Sequence, residues 1–166
     1  MGRLQDKVCI ITGAAGGQGE VAVKLFAEQG AKIIASDLPG KPTAALVETI
    51  ERFPDQVHYV RADVTSVADL ADITQASMEH FGRIDVLFNN HGVMVGSPLL
   101  ETTEQEIDTV LNVNVRASFL LCQRVARQMV EQGDGGSIVL NSSIGGVVGF
   151  PDMAAHYFHH SWDSLK

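Results

Sequence analysis

Positive charge, cysteine and long apolar runs are all scarce in this chain. Twelve Lys and Arg stand against twenty Asp and Glu, a formal charge of −8 over 166 residues. That balance argues against nucleic acid or an anionic membrane as a partner, since both need clustered Lys and Arg. No apolar run reaches the ~18 residues that begin to span a bilayer. The opening Met1-Gly2-Arg3-Leu4-Gln5-Asp6 has no apolar signal core, and Asp6 stands where a myristoylation motif takes Ser or Thr. With only Cys9 and Cys122 available, no disulfide framework is expected; both read as small core hydrophobes in a reducing cytoplasm.

What is present is a 45% hydrophobic, 19% charged composition, that of one globular domain. Apolar runs alternate with helical periods throughout. Strands are predicted at Lys7 to Ile11, Ala31 to Ser36, His58 to Arg61, Asp85 to Asn89 and Ser137 to Asn141. Helices are predicted from Gly17 to Gln29, Pro42 to Arg52 and Val67 to Phe81, the last closed by Gly82. A single long helix is predicted from Glu104 to Gln132, with Thr102 or Thr103 as its N-cap. Continuous apolar strands alternating with helices imply a parallel sheet covered on both faces, an α/β doubly wound fold.

Glycine and polar clusters fall at the carboxyl ends of these strands, where such sheets bind ligands. After the first strand comes Thr12-Gly13-Ala14-Ala15-Gly16-Gly17-Gln18-Gly19, entering a helix. Its N–H groups and the helix dipole suit a phosphate, although the same glycines also read as a plain tight turn. Asp37 ends the second strand 18 residues after Gly19, beside Leu38. A carboxylate there accepts hydrogen bonds from ribose hydroxyls and repels a 2′-phosphate, or is simply a solvated turn residue. With no Lys or Arg in the glycine loop, NAD is favoured over NADP.

The spacing T-G-x-x-x-G-x-G, with Asn89-Asn90-His91-Gly92, Asn114, Ser143 and Tyr157 in that order, resembles the short-chain dehydrogenase/reductase family in its classical branch. The likeness runs from about Gly2 to Tyr157 and implies a Rossmann fold. It implies a cofactor site at Gly13, Ala14, Gly17, Gln18, Gly19, Asp37, Leu38, Asp63, Val64, Asn90 and Gly92. It also implies hydride transfer between nicotinamide and a secondary alcohol or ketone, a small-molecule substrate. Tyr157 would then exchange the proton, Ser143 (less readily Ser142) would hold the substrate oxygen, and Asn114 would anchor a water. His91 takes a place usually held by alanine and reads as a tolerated substitution. A homo-oligomer through the helix 104–132 is a further implication.

The chain departs from that pattern at its end. Ser161 stands four residues after Tyr157, where the family places a lysine, and Lys166 falls on the opposite helical face. A free tyrosine titrates near ~10, so a base near neutrality needs about 4 kcal/mol of help that Ser161 does not bring. His160 is a weak substitute. His156, His159 and His160 read as a frayed polar terminus before a metal cluster, and no metal site is expected. Residues 1–155 are expected to form an incomplete dinucleotide-binding domain, and 156–166 a degenerate segment without its helix. The last two of the family's seven strands would be missing, as in a chain truncated just after the tyrosine. That would leave the fifth strand with an uncovered edge and face. Three readings stay open: an NAD-dependent oxidoreductase, a catalytically dead dinucleotide-binding or interaction module, and a truncated non-functional product.

Overall fold

The first strand, β1 (Val8–Thr12), is buried along its whole length, and its alternating side chains divide the interior in two. Cys9 and Ile11 face one side with Ile33 and Ala35, while Ile10 faces the other with Ile34. The computed structural model describes residues 2–148 and 151–160. Ser161, Trp162, Lys166 and the side chains of His159 and His160 lie outside the described residues.

Five parallel strands form one sheet in the order β3-β2-β1-β4-β5, where β2 is Lys32–Asp37, β3 Val57–Arg61, β4 Val86–Asn89 and β5 Ser137–Leu140. Helices α1 (Gly17–Glu28) and α2 (Ala44–Arg52) cover one face through Val23, Ala27 and Leu46. Helix α3 (Val67–Phe81) and the helix ending at Gln132 cover the other through Leu70, Ile73, Leu121 and Val125. The chain winds outward from β1 to β3, then returns to β4 on the opposite side. Such a reversal leaves a crevice beyond the carboxyl ends of β1 and β4.

Local signals set the helix ends. Ser66 Oγ accepts the Asp69 N–H at the start of α3, and Gly82, at φ 74°, closes it in the left-handed region. At the start of the sheet, Asp85 works across three strands. Its Oδ2 accepts the Val8 N–H at 2.8 Å, both of its carboxylate oxygens meet Arg83, and its carbonyl accepts the Ser137 N–H at 2.9 Å.

Two expectations are corrected. The helix predicted over Glu104 to Gln132 stays helical but not uniform. It comprises α4 (Glu104–Val110), a π-helical stretch (Leu111–Ala117) and α5 (Ser118–Gln132). Such widened turns are rare and do not end a helix, so the helical spacing over the whole span reads as one helix. A helix, α6 (Ala154–His160), occupies the place where the sequence predicts its loss. As expected of a fifth strand with an uncovered edge and face, β5 is exposed throughout, with Leu140 at 59%. Among the described residues no strand pairs with its outer edge.

Candidate functional site

The glycine loop leaves β1 by a turn that only glycine enters easily. Gly13 has φ +63°, and a Cβ there would lie 3.0 Å from the His91 backbone. A Cβ on Gly19 would overlap the Gly13 carbonyl, so this glycine lets α1 pack against the loop. Gly17 differs: a Cβ there would meet nothing within 4 Å, although Gly17 lines the crevice.

The crevice is a cleft of about 530 Å³ beyond β1, β2, β3 and β4. Of the residues the sequence singles out, Gly13, Gly17, Gln18, Asp37, Leu38, Asp63, Val64, Asn90 and Gly92 line it. Ala14 and Gly19 stand behind it: both are buried, and the Ala14 N–H donates to the Ser36 carbonyl. Sequence reasoning omitted Ala15, Gly16, Pro39, Ala62, Val93 and Val113, which also line it. Position just beyond a strand end was the one signal that pointed to them.

Asp37 is held ready rather than loose. Its Oδ2 accepts the Ala15 N–H at 2.8 Å and its Oδ1 the Leu38 N–H at 2.7 Å. Each oxygen keeps a lone pair for a ligand hydroxyl. Behind it, the Tyr59 hydroxyl donates to the Pro39 carbonyl at 2.6 Å and bridges to that of Asp37 at 3.4 Å. Burial, then the nearby Asp37 charge, push the Tyr59 phenol up, which keeps it a donor. Asp63 Oδ1 accepts from the Thr65 backbone and hydroxyl, and the Asp63 N–H donates to Asp69. Among the described residues that line the cleft there is no Lys or Arg. These features fit a nicotinamide dinucleotide: open space beside Gly17 at the helix start, where a phosphate is favoured, and an acceptor pair for a ribose.

The other wall is built by polar cross-links. Asn90 Nδ2 donates to the Gly13 carbonyl at 3.2 Å. Asn141, just past β5, donates to Gln18 Oε1 and Asn90 Oδ1 at 2.8 and 2.9 Å. Asn114 lies in the π-helical stretch, and its amide accepts the Val93 N–H at 2.8 Å and donates to the Val93 carbonyl at 2.9 Å. It thus satisfies the backbone of a loop that has left the sheet.

Ser143 caps a short 3-10 turn (Ile144–Gly146) and accepts the Gly145 N–H at 3.0 Å. The side chain that meets its Oγ is His156, with Nε2 at 3.1 Å. The sequence reading of His156 as a frayed polar residue is therefore corrected: it is buried on α6. Tyr157 follows it, its ring edge-on to the imidazole at 6.1 Å. Asn114, Ser143 and Tyr157 thus come from the widened helix, the end of β5 and α6.

Comparison with known proteins agrees with this geometry. The chain is 38% identical over 149 residues to a 3-oxoacyl-acyl-carrier-protein reductase of Thermotoga maritima, covering 90% of this chain and 60% of that protein. It is 35% identical over 156 residues to short-chain dehydrogenase reductase 3a of Arabidopsis thaliana, covering 93% and 60%. Among solved structures, carveol dehydrogenase from Mycobacterium avium in complex with NAD superposes with a TM-score of 0.86 at 28% identity, covering 96% of this chain and 63% of that one. The chain therefore spans about 60% of the length of the curated relatives it matches. The short chain dehydrogenase family model matches residues 7–157, and with the doubly wound sheet and its glycine-loop cleft this places the chain in that family of oxidoreductases.

Proposed function

We propose that this protein binds NAD(H) in preference to NADP(H) and interconverts a secondary alcohol and a ketone. The observation that carries the reading is the Asp37 carboxylate, fixed by two backbone N–H groups at the mouth of a cleft whose described lining has no cation. A ribose diol gains acceptors there, whereas a 2′-phosphate would meet a like charge with nothing to offset it.

The bound nicotinamide supplies the hydride acceptor or donor. Gly13, Gly17 and Gln18 would border the pyrophosphate, Asp37 and Leu38 the adenosine ribose, and Asp63 and Val64 the adenine. Ser143 would hold the substrate oxygen, its hydroxyl oriented by Gly145 and His156. The Tyr157 phenol would give its proton to a carbonyl oxygen during reduction and take it back during oxidation. Asn114, fixed through Val93, would anchor a water behind it. Ile107, Leu111, Val115 and Phe119 are exposed at four-residue spacing along the 104–132 helix, which supports a homo-oligomer through it. A cytoplasmic setting accords with the two free thiols.

Calorimetric titration with NADH and NADPH tests the cofactor assignment. NADH should bind more tightly by at least about tenfold, and Asp37→Asn should narrow that ratio. Equal or tighter binding of NADPH would overturn it. Turnover of a panel of secondary alcohols, lost in Tyr157→Phe while NADH still binds, tests the chemistry. A wild-type protein that binds NADH but turns nothing over would favour the non-catalytic binding module.

A further inference from the structure

We propose that His91 is a positioning residue: its neutral imidazole pins the cleft wall between β1 and α5, in the segment that runs on to Val93 and Asn114. This rests on the reading that the cleft takes a nicotinamide dinucleotide. The imidazole bridges two elements. Nδ1 lies 2.8 Å from Thr12 Oγ1, at the end of β1, and Nε2 lies 3.2 Å from Ser118 Oγ, at the start of α5.

The proton positions follow from counting lone pairs. Thr12 Oγ1 already accepts the Asn90 N–H at 3.2 Å and the His91 N–H at 3.3 Å. Its own proton is left to donate to Nδ1, so the ring proton sits on Nε2 and points at Ser118. Ser118 Oγ also accepts from Asn89 Nδ2 at 2.9 Å, which brings the end of β4 into the same chain. A charged imidazolium would need a proton on Nδ1 facing that of Thr12. Burial holds the ring neutral, and the Thr12 hydroxyl occupies its second nitrogen, against the Val113 carbonyl, which favours the protonated form.

The wall that this ring holds belongs to the cleft. The His91 backbone lies against Gly13, so closely that a Cβ on that glycine would come within 3.0 Å. Two residues on, Val93 is held by Asn114 from the widened helix. The segment from Asn90 to Val93 is thus fixed by Thr12 below, by the imidazole in its middle and by Asn114 at its far end. An alanine in place of His91 would leave the Thr12 proton and the Ser118 oxygen facing a void.

The test is calorimetry on the full chain with NADH and, separately, with ADP, which lacks the nicotinamide half of the dinucleotide. His91→Ala should weaken NADH about tenfold and ADP by less than about twofold. His91→Gln, whose amide can both accept from Thr12 and donate toward Ser118, should recover most of the loss. Should His91→Ala fail to fold, Ser118→Ala removes the distal contact without touching the cleft lining and should weaken NADH about threefold, with ADP unchanged. NADH binding unaltered in these variants, an equal loss of NADH and ADP, or no recovery with glutamine would overturn the proposal. Wild-type protein that does not bind NADH would instead overturn the dinucleotide reading, and this one with it.

Discussion

Acid should unfold this protein partly through His91. Burial pushes its imidazole down to about 4, against the backbone carbonyl of Val113 and the charge of Asp37, which both favour protonation. Apart from Asp37 on β2, its contacts are neutral: the Thr12 hydroxyl on β1, Asn89 through Ser118, and the helix backbone at Val113. In the unfolded chain the group returns to about 6.5. Above that value neither state binds the proton. As pH falls, the unfolded chain is protonated first, so stability drops from about 6.5 and stops dropping near 4, where the folded form is protonated too. The interval corresponds to about 3 kcal/mol at 1.36 kcal/mol per pH unit. The assay is urea unfolding of wild type and His91→Gln at about pH 7.5 and about pH 4, because carboxylates and the other histidines titrate alike in both proteins. The stability difference between wild type and variant should shift by about 3 kcal/mol against the wild type at the acid end. Parallel losses in the two proteins would refute the buried, neutral assignment.

Three further outcomes follow from the geometry. Gly19→Ala should destabilise by about 2 kcal/mol or more and abolish NADH binding, since its Cβ overlaps the Gly13 carbonyl, whereas Gly17→Ala should leave the melting temperature near wild type and weaken NADH alone. Asp85→Ala strands the Val8 N–H and frees a partly solvated Arg83, and should cost about 2–3 kcal/mol in chemical unfolding, with Asp85→Asn losing less. Ser161→Lys puts a cation four residues after Tyr157 in the sequence and should raise alcohol turnover by about tenfold or more with NADH affinity unchanged, as measured by steady-state kinetics.

The sequence was most legible where the determinants lie close together along the chain. Helix α3 is read to its last residue because Ser66, Asp69 and Gly82 are cap signals within or beside it. Strands β1 and β2 are shifted by a single residue from their predicted bounds, their apolar runs being continuous. Most of the cleft was legible too, through the glycine loop, Asp37, Asp63 and Asn90, since position beyond a strand end is a property of the pattern itself. Less legible was whatever depends on side chains meeting across the fold. His91 looked like a passive replacement, yet its ring bonds to Thr12 and Ser118, 79 and 27 residues away. His156 looked like a solvated tail residue, and it is buried against Ser143. The π-helical stretch around Asn114 followed no spacing rule, and it lies where that amide takes over the Val93 backbone.

By itself, then, the amino-acid order determined the class of fold, the strand and helix succession and the loop that opens toward a phosphate. Each rests on short-range physics: apolar periodicity, capping and the conformational freedom of glycine. Only the tertiary structure decided which polar groups hold that loop in shape and how Asp37 is fixed by Ala15. Those contacts join residues tens of positions apart. A buried donor or acceptor takes its partner from whichever element packs beside it, and no local pattern records that choice.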